Sequence, residues 1–118
     1  MKYLLLMYAN EADAPRTPEE QQAVAPLWYA LGQELEAAGV LVDSNGLAPV
    51  SDATTLKVRD GKSIITDGPF AETHEQLGGY YLLECKDLDE ALGWAAKIPG
   101  VKYGSVEVRP LNVWSQDK

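Results

Sequence analysis

The chain has 118 residues, of which 46% are hydrophobic and 24% are charged, and these values indicate one folded domain over residues 1–118. Its net charge is −8 and its ten basic residues are scattered, which argues against a nucleic-acid-binding protein and against binding to an anionic membrane surface. Cys85 is the only cysteine, so the sequence excludes an intramolecular disulfide and a cysteine-based zinc site and fits a reducing compartment.

The run Tyr3–Tyr8 is apolar or aromatic on both faces and predicts a strand that is buried on both sides. It is shorter than the core of a signal peptide and is followed by polar residues. No stretch approaches the ~20 apolar residues of a membrane-spanning helix. We therefore expect a soluble, cytoplasmic protein.

A helix is predicted to begin at Thr17, which can cap the first turn, with Pro18 at the first helical position and Glu20 completing a capping box. Gly39 marks its end. Apolar residues recur between these limits at helical spacing and predict one buried face. They are Val24, Leu27, Trp28, Leu31, Leu35 and Ala38.

Strands are predicted next. Val40–Leu47 is a strand interrupted by the turn-prone Ser44-Asn45-Gly46. Thr54–Arg59 and Lys62–Thr66 flank Asp60-Gly61, a pair of residues that predicts a β-hairpin. Gly79–Cys85 is apolar on both faces and predicts another buried strand, which makes Cys85 an inert core thiol.

A second helix is predicted to start at Asp87–Glu90 and to close at Pro99-Gly100, and Ser105–Leu111 is the last strand. The order β-α-β, hairpin, β-α-β predicts an α+β fold with the ferredoxin-like split βαβ plan and an inserted β-hairpin. In this plan the first and third core strands are central and the last is at an edge. The two doubly apolar strands and the half-polar last strand agree with these positions.

Two helices cover only one face of a four-stranded sheet, so the other face would expose apolar residues of both central strands. Patches of this kind usually mark an interface. We therefore predict a homodimer in which a second copy packs sheet to sheet with two-fold symmetry. The alternative is a monomer in which the hairpin folds over this face.

The segment Thr66–Tyr81, TDGPFAETHEQLGGYY, resembles the signature of the DGPF family, a branch of the YCII-related superfamily named for its Asp-Gly-Pro-Phe motif. The stretches Met1–Leu6, Asp89–Leu92 and Glu107–Pro110 agree as well, so the resemblance covers almost the whole chain. It implies a ferredoxin-like dimeric α+β barrel. It also implies a sigma factor of the extracytoplasmic-function type as a partner, because family members often sit beside such factors or are fused to them.

In the wider superfamily, a His and Asp pair in a cleft has been taken as an acid–base site. The motif supplies Asp67. The superfamily histidine lies nearer the first helix, where this chain has none, and its sole histidine is His74. This departure separates the chain from the superfamily pattern.

Asp67-Gly68-Pro69 is a turn sequence, so that Asp67 either caps the turn or serves as a general base held at a strand end. His74, beside Glu75, is a candidate proton carrier near neutral pH, and the alternative is an exposed loop histidine. Phe70 is predicted to be a core or pocket-wall residue.

Glu72 and Glu75 lie in the same short polar stretch and are predicted substrate contacts together with Phe70. A metal site formed by Asp67, Glu72, His74 and Glu75 lacks any recognised ligand spacing, and we predict none. Arg109 either forms a surface ion pair with Glu107 or binds an acidic group of a ligand.

Three functions remain open. The first is a cofactor-independent acid–base enzyme acting on a small molecule near the motif, with Asp67 as base, His74 as proton carrier and Arg109 as anchor. The second is a non-catalytic ligand-binding or regulatory module associated with a sigma factor. The third is a scaffold in which the motif only shapes the fold. A polar acid–base cluster beside a dimer cleft favours the first.

Overall fold

The structure, a computed structural model, describes residues 1–71, 73–112 and 114. Two helices begin at side-chain caps, at Thr17 as predicted and at the predicted start of the second helix. In α1 (Pro18–Ala37) the hydroxyl of Thr17 accepts a hydrogen bond from the Glu20 amide at 3.1 Å. In α2 (Leu88–Ala95) the carboxylate of Asp87 accepts one from the Glu90 amide at 2.9 Å. The second helix ends before the predicted stop, and Pro99–Lys102 forms a separate 3₁₀ turn.

Four antiparallel strands form the main sheet: β1 (Lys2–Ala9), β2 (Leu41–Gly46), β5 (Gln76–Glu84) and β6 (Gly104–Pro110). Their spatial order is β2-β5-β1-β6, so the two doubly apolar strands are central and the last strand is at an edge, as predicted. The fold is therefore α+β with the ferredoxin-like strand order.

Two strand boundaries differ from the prediction. Ser44-Asn45-Gly46 does not interrupt β2, because these residues pair with Tyr81, Tyr80 and Gly79 of β5. The fifth strand starts earlier than predicted, because Gln76 and Leu77 pair with the end of β1 after a register shift between Met7 and Tyr8. Cross-strand pairing overrides the local turn preference in β2 and extends β5 beyond its predicted start.

The predicted hairpin is present as a separate two-stranded sheet, β3 (Thr54–Arg59) and β4 (Lys62–Asp67). Its turn residues Asp60 and Gly61 have φ values of 53° and 75°, as a type I′ turn requires. Leu56 and Ile65 are opposite each other on one face and are 62% and 70% exposed. The hairpin therefore does not fold over the main sheet by this face in the protomer, in contrast to the monomeric alternative.

The core lies between the helices and one face of the main sheet. Leu31 and Leu35 of α1 are buried there, whereas Leu27, which the helical spacing also placed on this face, is 54% exposed. Cys85 is buried as predicted, and burial raises the pKa of its thiol, with Glu90 adding to the effect. The buried core residues are Tyr3, Leu5, Leu31, Leu35, Val40, Tyr81, Leu83, Cys85, Ala91, Ala95 and Ile98.

The other sheet face, which we call the open face, carries Leu4 and Leu6 of β1 and Tyr80 and Leu82 of β5. These side chains alternate with the core-facing residues and are only partly buried. Tyr80 is fixed on this face, because its hydroxyl donates to Asp43 at 2.7 Å and accepts from Asn45 at 3.0 Å. No helix in the described part of the chain is long and apolar enough to span a membrane.

Candidate functional site

One end of the main sheet brings together residues that are distant in sequence. Tyr8 of β1 pairs with Leu77 of β5 on one side and with Ser105 of β6 on the other, and Ala9 pairs with Gln76. Two cavities open beside these strand ends, one on the helix side of the sheet and one beside the motif. Tyr8 and Gln76 line both.

The helix-side cavity has a volume of about 470 Å³ and lies between α1, the strand ends and the 3₁₀ turn Pro99–Lys102. Its walls are mainly apolar. This volume is within the range that proteins use to bind small molecules. The lining residues are Met7, Tyr8, Ala9, Glu11, Ala14, Pro15, Gln21, Val24, Ala25, Trp28, Gln76, Gly78, Ile98, Gly100, Tyr103, Ser105 and Val106.

Two aromatic side chains meet at one point of this cavity. A Cβ built on Gly100 would lie 3.5 Å from the hydroxyl oxygen of Tyr103 and 3.8 Å from Cζ2 of Trp28. The bare glycine therefore leaves space beside both aromatic side chains. Burial raises the pKa of the Tyr103 hydroxyl, so this group stays protonated at neutral pH and can donate a hydrogen bond to a ligand.

A half-buried carboxylate lies on the same cavity wall. One oxygen of Glu11 accepts a hydrogen bond from the Val50 amide at 3.0 Å. Its other oxygen has no hydrogen-bond partner among residues 1–71, 73–112 and 114. The sequence predicts no role for Glu11 beyond the polar residues that follow the first strand. The signal that was missed is its position two residues after a buried central strand, where the chain leaves the end of the sheet.

Gln76 connects this wall to the motif. Its side-chain oxygen accepts from the Glu11 amide at 3.1 Å, and its side-chain nitrogen donates to the Thr73 carbonyl at 2.7 Å. The hydroxyl of Thr73 in turn donates to the carbonyl of Glu75. The segment that follows the motif is therefore held to the strand ends by a continuous set of hydrogen bonds.

The motif-side cavity, of about 630 Å³, is lined by Pro69 and Phe70 and by the chain between β2 and β3. Phe70 is 73% exposed, with the Lys57 ammonium 4.9 Å from its ring centre. Phe70 is therefore part of the pocket wall, which is one of its two predicted roles, and is not a core residue of the protomer.

Asp67 and His74 are both exposed. Asp67 ends β4 opposite Thr54, and the turn after it is fixed by Gly68, whose amide donates to the Ala53 carbonyl at 2.7 Å and whose φ is 101°. In the described part of the chain, no hydrogen bond or ion pair joins Asp67 to His74, and the Asp67 carboxylate bonds to no turn amide. Neither residue lines either cavity.

The remaining predicted site residues are at different places. Glu75 is half-buried and accepts a hydrogen bond at 3.0 Å from Ser105, a residue of the helix-side cavity. Arg109 is exposed on β6 opposite Leu4, on the open face and four residues along the strand from Ser105. No ion pair with Glu107 is present among the described residues. Glu72 lies outside the described residues.

Metal-ligating side chains do not converge in the described part of the chain: no three His, Cys, Asp or Glu residues are placed so that they could hold one ion. The polar side chains in the lining of the helix-side cavity are a carboxylate, two phenols, two primary amides and a serine hydroxyl, from Glu11, Tyr8, Tyr103, Gln21, Gln76 and Ser105. Such a set can accept a proton, donate a proton and orient a ligand by hydrogen bonds.

Comparisons with known proteins show which proteins the chain is similar to. The chain is 39% identical over 117 residues to an uncharacterised protein of Rhizobium meliloti (strain 1021), covering 97% of this chain and 94% of that protein. Its fold resembles 5-chloro-2-hydroxyhydroquinone dehydrochlorinase from Burkholderia phenoliruptrix AC1100 in complex with 2,5-dihydroxybenzoquinone, at 15% identity and a TM-score of 0.48, over 95% of this chain and 94% of that one. The family model of the YCII-related domain matches residues 1–115. The chain therefore belongs to the YCII-related domain family.

Proposed function

We propose that this protein is a small acid–base enzyme that needs no cofactor and acts on a small molecule in the helix-side cavity. The observation that carries the proposal is the placement of Glu11 on the wall of a cavity of about 470 Å³ that also contains the Tyr103 hydroxyl. An apolar cavity with a few convergent polar groups is the usual form of an active site.

Glu11 and Tyr103 supply complementary roles. The Glu11 carboxylate is held by the Val50 amide through one oxygen, which leaves the other oxygen to accept a proton from a substrate. The Tyr103 hydroxyl, whose pKa is raised by burial, donates a hydrogen bond to the atom on which negative charge develops. The apolar walls limit competing water and strengthen both interactions.

A second assignment gives the catalytic and binding roles of the same activity to the motif residues and Arg109. In it Asp67 is the base, His74 carries the proton, Arg109 anchors a charged group of the substrate, and Phe70, Glu72 and Glu75 contact it. Phe70 on the wall of the motif-side cavity supports this assignment. Because no hydrogen bond or ion pair joins Asp67 to His74 in the described part of the protomer, this assignment requires a second copy of the chain to close the cleft around them.

A homodimer is part of the proposal. Leu4, Leu6 and Leu82 on the open face are partly exposed, and Leu56 and Ile65 of the hairpin are 62% and 70% exposed. Monomeric proteins rarely leave apolar residues of two neighbouring surfaces uncovered in this way. A two-fold pair of sheets facing each other would bury the open face and form the dimeric α+β barrel.

The second candidate is a ligand-binding or regulatory module without turnover. The hydrogen bonds from Glu11 through Gln76 to Thr73 favour it, because a ligand in the helix-side cavity could alter the segment after the motif. A sigma factor as its partner rests on the sequence resemblance alone.

Exchange of carbon-bound protons in D₂O distinguishes these candidates, because it reports acid–base catalysis without knowledge of the natural substrate. The probes are cyclohexanone, 1-indanone and 4-piperidone, followed by ¹H NMR. We expect the wild-type protein to accelerate exchange of at least one probe, and Glu11→Gln to abolish the acceleration. Loss in Asp67→Asn and His74→Gln instead would favour the motif assignment. Binding without accelerated exchange would support the regulatory module.

A matched pair of variants tests the cavity itself. Gly100→Leu places a side chain beside Trp28 and Tyr103 and should block both binding and exchange. Gly93→Leu adds the same side chain on the exposed surface of α2, where no heavy atom lies within 4 Å of an added Cβ, and should change neither. Equal activity of the two variants would exclude the helix-side cavity as the site.

A further inference from the structure

The helix-side cavity has an unusual distribution of charge. Glu11 is the only residue of its lining that carries a full charge at neutral pH, since the described lining residues include no Lys, Arg or His. Glu75, which accepts a hydrogen bond from the lining residue Ser105 at 3.0 Å, is not itself part of the lining. A bound ligand therefore meets the negative charge of Glu11 and no compensating cation from the lining.

This distribution opposes anionic ligands. A carboxylate or phosphate entering the cavity would lose water and gain no cationic partner from the walls, and an unpaired charge is costly to bury. Repulsion by Glu11 would add to this cost. Arg109, the cation that the sequence analysis assigned to an acidic substrate, is on the open face and not in the lining.

The same walls favour a cation. The free oxygen of Glu11 can accept a charge-assisted hydrogen bond from an ammonium group, which is stronger than a bond between neutral groups. Trp28 and Tyr103, which come together at Gly100, offer aromatic surfaces that attract both a cation and a flat ring. We propose that the ligand of the helix-side cavity is a small ring compound that carries a basic amine, with Glu11 as the residue that selects its charge. This inference rests on the proposed function only in taking the helix-side cavity as the ligand site.

Three probes of one shape test the selection: 2-naphthylmethylamine, 2-naphthalenemethanol and 2-naphthoate, titrated into the protein at pH 7 by isothermal titration calorimetry. We expect the amine to bind at least about tenfold more tightly than the alcohol, the factor that a charge-assisted hydrogen bond supplies. The carboxylate should bind more weakly than both. In Glu11→Gln the preference for the amine should fall to about the level of the alcohol, while alcohol binding is retained.

Two controls are needed. One shows whether Glu11→Gln is still folded, and the other shows whether a change in the protein's net charge, which is −8, is enough to alter the preference for the amine. Glutamine at position 11 keeps an acceptor for the Val50 amide, so the urea unfolding curve of Glu11→Gln should match that of the wild type. Glu107→Gln makes the same charge change on the open face of β6 and should leave the ranking of the probes unchanged. A ranking equally altered in both variants would overturn the assignment to Glu11.

The outcomes distinguish this inference from the proposed function. Equal binding of amine, alcohol and carboxylate overturns charge selection and leaves the cavity as a ligand site. Binding of none of the three probes, or equal binding in Gly100→Leu, overturns both. The order amine, alcohol, carboxylate, lost only in Glu11→Gln and Gly100→Leu, supports charge selection by Glu11 and the helix-side cavity as the ligand site, whereas turnover is tested by the exchange experiment alone.

Discussion

The side-chain oxygen of Gln76 lies 3.1 Å from the backbone nitrogen of Glu11, and this hydrogen bond joins the first residue of β5 to a residue two positions beyond the end of β1. The amide nitrogen of the same side chain donates to the Thr73 carbonyl at 2.7 Å. Gln76 thus fixes two segments at once: the carboxylate wall of the helix-side cavity and the chain that leads back to the motif.

Replacing Gln76 by Leu keeps a side chain of similar size and removes both hydrogen bonds. We expect the free energy of unfolding to fall by about 1–2 kcal/mol, because a hydrogen bond within a protein contributes about 0.5–1.5 kcal/mol. Urea titration followed by tryptophan fluorescence measures the change. Gln33→Leu is the control, because the exposed Gln33 bonds only to the Tyr29 hydroxyl; its effect should stay below about 0.5 kcal/mol. Equal losses in both variants would show that Gln76 has no special role.

Gly104 begins β6 where that strand approaches β1 too closely for a side chain. A Cβ at this position would collide with the carbonyl oxygen of Tyr8. We expect Gly104→Ala to lower the free energy of unfolding by about 1–3 kcal/mol, the usual cost of forcing an atom into a packed site. Because the displaced strand end carries Ser105, the variant should also weaken binding of 2-naphthylmethylamine.

At Gly93 we expect the same substitution to have the opposite effect on the free energy of unfolding. It is exposed within α2 and no heavy atom lies within 4 Å of an added Cβ. Gly93→Ala should therefore raise the free energy of unfolding by up to about 1 kcal/mol, because alanine is the better helix former. Urea unfolding of the two variants side by side measures both signs. Stabilisation of both would contradict the close approach at Gly104.

The exposed face of the hairpin tests the homodimer. Ile65 is 70% exposed and pairs with Leu56, so Ile65→Lys should leave the free energy of unfolding of the protomer within about 0.5 kcal/mol of the wild type. If the hairpin packs on a second copy, the variant should dissociate at least tenfold more readily, since a buried unpaired charge is costly. Sedimentation velocity over a concentration series measures this. Leu92→Lys, at a 48% exposed position of α2, is the control; a wild-type protein that is monomeric throughout the series would exclude the dimer.

Local patterns were sufficient to predict the elements and their order. The cap at Thr17, the helix start at Asp87 and the turn Asp60-Gly61 depend on neighbours in sequence, and the structure confirms all three. The double apolarity of β1 and β5 also predicted their central positions. Predictions failed where pairing at long range decides the outcome, as for Asn45, which the sequence placed in a turn and which pairs with Tyr80.

The candidate site was less accessible to sequence reasoning. The motif drew attention to Asp67 and His74, which are exposed and are joined by no hydrogen bond or ion pair in the described part of the chain. Their roles remain predictions. Glu11, Trp28 and Tyr103 are far apart in the chain, and only the return of β6 beside β1 brings them to one cavity. No spacing rule connects residues whose proximity depends on the tertiary fold.

The buried hydroxyl of Tyr81 should make the free energy of unfolding fall at alkaline pH. It is a core residue, 8% exposed, and burial raises the pKa of its hydroxyl above the ordinary value of 10.0. Up to about pH 10 both states keep the proton and the contribution to stability is complete. At higher pH the unfolded chain loses its proton first, so the free energy of unfolding falls, by at most about 1.4 kcal/mol per pH unit for one proton, until the pH passes the folded pKa. Urea titrations from about pH 8 to about pH 11 should show a shallower fall in Tyr81→Phe than in the wild type. Tyr29→Phe, at a 69% exposed position, should follow the wild-type curve, and a Tyr81→Phe curve parallel to it would contradict the effect of burial.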